Sequence, residues 1–196
     1  LYALHNKGIS GSLSSGLHHA SWSSGRGFCT VNGLALAAVA AVGAGAERVL
    51  ILDLDAHCGG GTADIIRRHS GIEQVDISVI GFDRYDSDDI ARLVMADGSN
   101  YLDVVDAELA HIEPASFDLI VYNAGMDPHE RAGGVAGITT DVLADRERMV
   151  FGWAGPTPLA FVLAGGYAGN GFGLDDVASL HTRTVTAALG CNATTM

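Results

Sequence analysis

Apolar and polar stretches alternate along the chain, and their lengths and spacing predict strands and helices in turn. Four apolar runs are short, end at polar or glycine-rich residues and are typical of buried strands; they cover residues 48–55, 75–82, 117–123 and 158–164. Apolar positions at helical spacing predict helices over residues 31–42, from 62 to about 69, 100–112, 140–153 and 175–189. Because strands and helices alternate, the predicted fold class is α/β, with a parallel sheet flanked by helices.

The stretches around the first of these strands carry further expectations. The predicted helix at 31–42 is apolar on nearly every side, so we expect it to be buried against the sheet. Residues 1–26 lack periodicity apart from a short segment at 9–13, and the run SGLHHASWSSGRG predicts a long loop. After the strand at 48–55, glycines 59–61 are expected to turn the backbone tightly, and Thr62 to cap the next helix.

Polar side chains follow three of the predicted strands. In the run LDLDAHCGGGT, Asp53, Asp55 and His57 occupy alternate positions, which share one face of an extended chain. Asp127 and Tyr167 follow two later strands, and the carboxyl ends of parallel strands meet at one edge of the sheet. Two carboxylates and an imidazole, Asp55, His57 and Asp127, suit Zn²⁺ with a free coordination position; Fe²⁺ and Mn²⁺ are alternatives. Asp53, one pleat behind, is better placed to orient a histidine.

Four further candidate site residues each allow two interpretations, a purely structural one and a functional one. His18 and His19 are either a surface pair or, beside a metal, a general base and a general acid, because imidazole titrates near neutral pH. Tyr167 is either an aromatic capping the sheet or a donor to a developing oxyanion. Phe28, next to Gly27, either packs in the core or lines an apolar slot.

Length, charge and cysteine content limit the class of protein. The 196 residues show no linker or repeat, so we expect a single domain over 1–196. The formal net charge of −12 argues against partners such as nucleic acid or an anionic membrane and is compatible with cationic substrates. The three cysteines suggest no disulfide framework and, without a visible signal peptide or spanning segment, indicate a cytoplasmic protein. No oligomeric state is indicated.

Four motifs in a fixed order resemble one family. SGLHHASWSSGRGFCTVNGLALA, LDLDAHCGGGT, YNAGMD and LAGGY are similar to the histone deacetylase superfamily, and to its bacterial acetylpolyamine and acetoin-utilisation members more than its eukaryotic ones. The resemblance covers residues 18–182. It implies the three-layer α/β/α arginase/deacetylase fold and a zinc-dependent amidohydrolase that removes an acetyl or other small acyl group from acetyl-lysine or an acetylpolyamine.

The resemblance also implies a role for individual residues. By position, the zinc ligands correspond to Asp55, His57 and Asp127. The paired catalytic histidines correspond to His18 and His19, the carboxylate behind the first of them to Asp53, and the oxyanion tyrosine to Tyr167. Asp53 also corresponds to part of a monovalent-cation site, which K⁺ would fill, and the wall of the substrate channel corresponds to Gly27 and Phe28.

The sequence departs from the family at three places. The family usually carries Asp or Asn where this chain has Gly60, so the group that orients His19 is missing or comes from elsewhere. A histidine often follows the metal-ligand histidine, whereas here Cys58, which we interpret as a packing residue, follows His57. The family also has an upstream segment of about a hundred residues, which predicts that this chain is an N-terminally truncated member.

Two rival functions stay open. Ureohydrolases such as arginase share the fold, but their two-manganese site needs carboxylates where this chain has Gly59 and His129. A non-catalytic binding relative would keep the pocket without turnover, and Gly60 favours that alternative.

Overall fold

The computed structural model describes residues 1–169 and 171–193. The helices in this part of the chain are α1 Tyr2–Asn6, α2 Gly33–Gly43, α3 Gly60–Ile66, α4 Tyr101–Ala110, α5 Thr140–Ala154 and α6 Leu174–Ala193, with a 3₁₀ turn at Pro114–Ser116. The strands are β1 Ile9–Ser12, β2 Val49–Asp53, β3 Ile72–Ser78, β4 Ala91–Met95, β5 Leu119–Gly125 and β6 Leu159–Ala164.

The described strands form one sheet in the order β1-β6-β5-β2-β3-β4, and every neighbouring pair is parallel. The prediction of an α/β fold with a parallel sheet is therefore confirmed. From β2 the chain proceeds outward to β3 and β4, then returns to the other side of β2 with β5 and continues to β6. The direction of winding reverses between β2 and β5, and ligands of open α/β sheets bind beyond the carboxyl ends of the strands at such a reversal.

Alternate residues of β2 face two separate apolar cores. Leu50 and Leu52 pack with α4, α5 and α6 on one side of the sheet, whereas Val49 and Ile51 pack with α1, α2 and α3 on the other. All five residues of β2 are buried, as expected for a central parallel strand covered on both faces. The result is the three-layer α/β/α architecture.

The structure corrects the expectation for α2 and adds two elements. Only one face of α2 is buried, through Leu34, Ala35, Ala38 and Ala41, and Leu36 is 57% exposed. An alanine-rich helix is apolar on all sides without having to be covered on all sides. Helix α1 and strand β4 were not predicted; β4 lies at the sheet edge and carries Arg92, so it lacks the apolar run of a central strand. No helix among the described residues has the length and apolar character that crossing a membrane requires.

Candidate metal and catalytic site

Three predicted metal ligands meet where the direction of winding reverses. Asp55 and His57 follow β2, and Asp127 follows the neighbouring strand β5. Nδ1 of His57 lies 3.2 Å from Oδ1 of Asp55 and 3.0 Å from Oδ2 of Asp127. One possible ligand atom from each residue lies within 4.8 Å of the other two. The structure therefore brings these three side chains together.

The donor atoms fit a small divalent ion. Zinc bonds of about 2.0–2.2 Å in a tetrahedral site place neighbouring ligand atoms roughly 3.3–3.6 Å apart, close to the spacings that His57 makes with the two carboxylates. Oδ2 of Asp127 is buried and, among the described residues, has no well-aligned hydrogen bond, although His57 Nδ1 is near. Two ligands of one metal ion both point at the ion, so their ligand atoms lie close together without the geometry of a hydrogen bond between them.

The ionisation of the three groups is consistent with a site that exchanges protons for a cation. Asp127 and Asp55 together raise the pKa of His57 to about 9. Burial, with the nearby charge of Asp55, raises the pKa of Asp127 to about 6. Burial opposes ionisation of Asp55 too, but His18 and His57 hold the pKa of Asp55 below its usual range. A metal ion held by these three groups would therefore displace protons from them.

His18 is paired with a buried carboxylate, as predicted for Asp53. Nδ1 of His18 lies 2.7 Å from Oδ2 of Asp53, while Oδ1 of Asp53 accepts hydrogen bonds from Asn123 Nδ2 at 2.7 Å and from the backbone N–H of Asp55 at 3.2 Å. Burial lowers the pKa of His18, but the charges of Asp53 and Asp55 outweigh burial and raise it well above the usual value. Asp53 therefore lies behind the histidine, outside the group of ligand atoms.

The loop that carries the two histidines is held by α2 and α3. The side-chain oxygen of Asn32 caps α2 by accepting a hydrogen bond from the backbone N–H of Ala35. The side-chain NH₂ of Asn32 donates hydrogen bonds to the carbonyls of His18 and Ala20. Thr62 does not cap a helix as predicted; α3 begins at Gly60, and the Thr62 hydroxyl and N–H both donate to the carbonyl of His18. The chain at residues 59–61 needs glycine for space: a Cβ on Gly61 would lie 2.4 Å from the carbonyl carbon of His19.

His19 has a carboxylate partner that the sequence analysis missed. Its Nδ1 lies 3.1 Å from Oδ2 of Asp83, in the loop after β3. Its other ring nitrogen, Nε2, lies 3.1 Å from Nε2 of His18. The group expected at Gly60 is thus supplied from elsewhere. Because β3 is adjacent to β2, the rule that strand ends share one edge could have pointed to the acidic loop DRYDSDD.

Tyr167 approaches the ligands from the end of β6. Its ring centroid lies 6.4 Å from that of His57. Gly165, at φ +59, lets the backbone pass against the metal group, since a Cβ there would lie 2.2 Å from Oδ1 of Asp127. Burial and the neighbouring Asp127 raise the pKa of Tyr167 to about 12, so its hydroxyl stays protonated and able to donate. A cavity of about 280 Å³ is lined by Tyr167, His18, His19 and Asp55.

One aromatic ring, Phe28, lines this cavity, and a second, Phe82, packs against His19, another residue of the lining. Gly27 and Phe28 line the cavity, as predicted for a channel wall, and Phe28 does not pack in the core: it is 95% exposed. Phe82, which the sequence analysis did not single out, packs its ring edge-on to His19 with centroids 4.8 Å apart. Arg26 covers the Phe82 ring at 5.2 Å.

Two other candidates for metal ligation lie outside the group. Cys58 is buried, and its thiol contacts the Ile80 carbonyl and Met95 Sδ, which agrees with the interpretation as a packing residue. Nε2 of His129 is hydrogen-bonded to the Thr140 hydroxyl, and Nδ1 of His129 accepts a hydrogen bond from the backbone N–H of Arg131. Among the described residues, Asp55, His57 and Asp127 form the one group of this kind, so a two-metal ureohydrolase site is not supported.

A buried arginine behind the site ties its two strands together. Nη1 of Arg146, on α5, donates to the carbonyl oxygens of Leu54 at 3.1 Å and Gly125 at 2.8 Å. Arg146 is paired with the adjacent Glu147, which also accepts from the Tyr122 hydroxyl. The guanidinium therefore fixes the ends of β2 and β5, from which the candidate metal ligands extend. Apart from its place in a predicted helix, nothing in the sequence pointed to a role for Arg146.

Comparison with known proteins agrees with the geometry. The family model for the histone deacetylase domain matches residues 5–87. An uncharacterized protein of Picosynechococcus sp. is 35% identical over an aligned length of 176 residues, and the match covers 83% of this chain and 57% of that protein. The chain thus spans little more than half the length of this curated relative.

Solved structures share the fold. Acetylpolyamine aminohydrolase from Burkholderia pseudomallei superposes with a TM-score of 0.75 at 22% identity, covering 97% of this chain and 58% of that one. The HD domain of HDA15 gives a TM-score of 0.71 at 24% identity, covering 88% of this chain and 53% of that one. The family-model match over residues 5–87 and the shared fold agree with the motifs and with the site, and they support assignment to the histone deacetylase superfamily.

Proposed function

We propose that the protein is a zinc-dependent deacetylase, which hydrolyses the amide of a small acyl group on an amine. The observation that carries the proposal is the grouping of Asp55, His57 and Asp127 next to a cavity that Asp55, His18, His19 and Tyr167 line. Such a set supplies metal ligands, proton-transfer groups and an oxyanion donor within one small space. The family and the relatives' names support the same reaction class.

The three ligands would hold Zn²⁺, with Fe²⁺ as the alternative. When bound, the ion supplies Lewis acidity toward the amide carbonyl and lowers the pKa of a water molecule to about 7. His19 accepts the proton of the attacking water at Nε2 and returns it to the leaving amine. His18, held by Asp53, keeps positive charge beside the reaction. Tyr167 donates its hydroxyl hydrogen to the developing oxyanion.

The shape of the cavity and the net charge favour a particular class of substrate. The interior of about 280 Å³ suits a small acyl group, and we assign contact with an alkyl stem to the exposed ring of Phe28, which lines the cavity. The net charge of −12 favours a cationic amine. We therefore propose acetyl-lysine and acetylpolyamines as substrates. The monovalent-cation site that the resemblance places at Asp53 stays a prediction.

The test is hydrolysis by the full-length protein, loaded with Zn²⁺, of a fluorogenic acetyl-lysine peptide and of a panel of acetylated polyamines. We expect amine release that is lost on chelation and restored by about one equivalent of metal. Urea release from arginine or agmatine with two equivalents bound would favour the ureohydrolase alternative. Binding of a hydroxamate without turnover of any acylated amine would favour the non-catalytic relative.

Tyr167→Phe removes the hydroxyl alone and tests the oxyanion role. We expect kcat to fall by about 100- to 1,000-fold, the usual effect of deleting one oxyanion donor, with little change in KM. Tyr167 is 47% exposed, so the folded protein should keep its thermal stability. Steady-state kinetics on the best substrate checks this, and Tyr2→Phe, an exposed tyrosine on α1, is the matched control. A wild-type kcat in Tyr167→Phe would contradict the role.

A further inference from the structure

His19 is oriented by partners on both ring nitrogens. Nε2 faces the imidazole of His18, and Nδ1 faces Oδ2 of Asp83. An ionised carboxylate accepts hydrogen bonds and donates none, so this contact places the hydrogen of a neutral His19 ring on Nδ1. Nε2 then carries the lone pair, which is the state that a proton acceptor needs.

The carboxylate of Asp83 is itself fixed. Its side chain is only 6% exposed, and three segments of the chain converge on it. Oδ2 accepts from the Gly61 N–H at 3.1 Å as well as from His19, while Oδ1 is paired with Nη1 of Arg26 at 2.8 Å. The Phe82 carbonyl, one residue earlier, accepts from Cys58 N at 3.0 Å. These contacts hold Asp83 in a left-handed backbone conformation, φ 61, that aspartate adopts more readily than most residues.

The present position of Asp83 requires that residue 60 has no side chain. A Cβ on Gly60 would lie 2.3 Å from the carbonyl oxygen of Asp83 and 2.9 Å from its Oδ1. A side chain at position 60, where the family resemblance leads us to expect Asp or Asn, is incompatible with Asp83 in its present place. Gly60 and the present position of Asp83 are therefore two parts of one arrangement.

We propose that Asp83 is the positioning residue of His19, fixing its ring and tautomer from the loop after β3 in place of the carboxylate or amide missing at Gly60. This inference rests on the proposed function, in which His19 moves the proton. It also removes the main support for a non-catalytic relative, since that support was the glycine at 60.

The kinetic test compares Asp83→Ala with Asp83→Asn in the full-length, zinc-loaded protein. We expect Asp83→Ala to lower kcat by about 10- to 100-fold with KM nearly unchanged, the range found for partners that orient functional histidines. Asp83→Asn keeps an oxygen that accepts from His19 and is expected to retain most of the activity. Asp86→Asn, an exposed carboxylate of the same loop, is the matched control and should match the wild type.

The second readout does not depend on turnover. Nitrogen-15 spectra of the histidine rings in the metal-free protein should show His19 with hydrogen on Nδ1 in the wild type and in Asp83→Asn, and a mixture of tautomers in Asp83→Ala. Zinc stoichiometry should stay at one in all three proteins. An unchanged tautomer in Asp83→Ala, or equal losses of kcat in Asp83→Ala and Asp83→Asn, would overturn the proposal. If the wild type hydrolyses no acylated amine, the proposed function fails, and the tautomer measurement still decides whether Asp83 orients His19.

Discussion

Replacing His19 by alanine is expected to lower kcat by about 100- to 10,000-fold, the usual contribution of a positioned general acid–base group. The physical reason is the loss of an imidazole that is held by Asp83 on Nδ1 and that lines the cavity, with its Nε2 facing His18. His19 is not among the three grouped ligands, so zinc binding should continue. The measurement is steady-state kinetics with metal content determined on the same samples.

His111→Ala serves as the matched control because His111 is exposed at the end of α4, far along the chain from the site residues. We expect its kcat to equal that of the wild type. If His19→Ala loses less than about tenfold in kcat while retaining zinc, His19 does not carry the proton transfer. If His19→Ala loses its zinc, the residue acts on the metal group, and the assignment of roles in the site is wrong.

Replacing Arg146 by alanine is expected to destabilise the fold by about 3–5 kcal/mol, the usual cost of removing one member of a buried ion pair. Arg146 and Glu147 are both wholly buried, so the substitution leaves the Glu147 carboxylate in the core without its partner. It also leaves the carbonyls of Leu54 and Gly125 without their donor. Urea unfolding of the metal-free protein measures the free energy of unfolding directly.

Arg148→Ala is the matched control on the same helix. Arg148 is paired with Asp145 at the surface, and such pairs contribute about 0–1 kcal/mol. The double variant Arg146→Met, Glu147→Gln removes both charges and should lose less stability than the sum of the two single variants, because no unpaired charge remains. A loss below about 1 kcal/mol in Arg146→Ala would show that the buried pair does not stabilise the strand ends.

The sequence was sufficient for strands β2, β3, β5 and β6 and for the grouping of Asp55, His57 and Asp127, because both follow from simple periodic rules. A fully apolar run marks a central parallel strand, and polar residues directly after such runs must meet at one edge. Asp55, His57 and Asp127 obey that rule, and Tyr167 follows it from the next strand. The placement of His18 and His19 relied on their resemblance to known motifs, because the loop around them has no periodicity.

Contacts that depend on packing could not be derived from the sequence. The role of Asp83 depends on the space left by Gly60 and on an unusual backbone angle, and neither is visible in a polar loop of seven residues. Thr62 donates to a carbonyl distant in the chain instead of capping the local helix end that its type suggests, and Asn32 donates to such a carbonyl in addition to capping α2. Phe28 is exposed although its type favours burial, because it borders the cavity.

The position of β1 at one edge of the sheet has a consequence for how the protein is made. The strand pairs Ile9 with Leu159, so a segment near the start of this chain waits for one that leaves the ribosome much later. Pairings so distant in sequence form slowly, because a long loop must close before any contact compensates for its lost entropy. The loop with both histidines continues directly from β1. Assembly of the catalytic centre is thus tied to completion of the sheet, and a nascent chain that still lacks β6 carries the parts of the site without their final alignment.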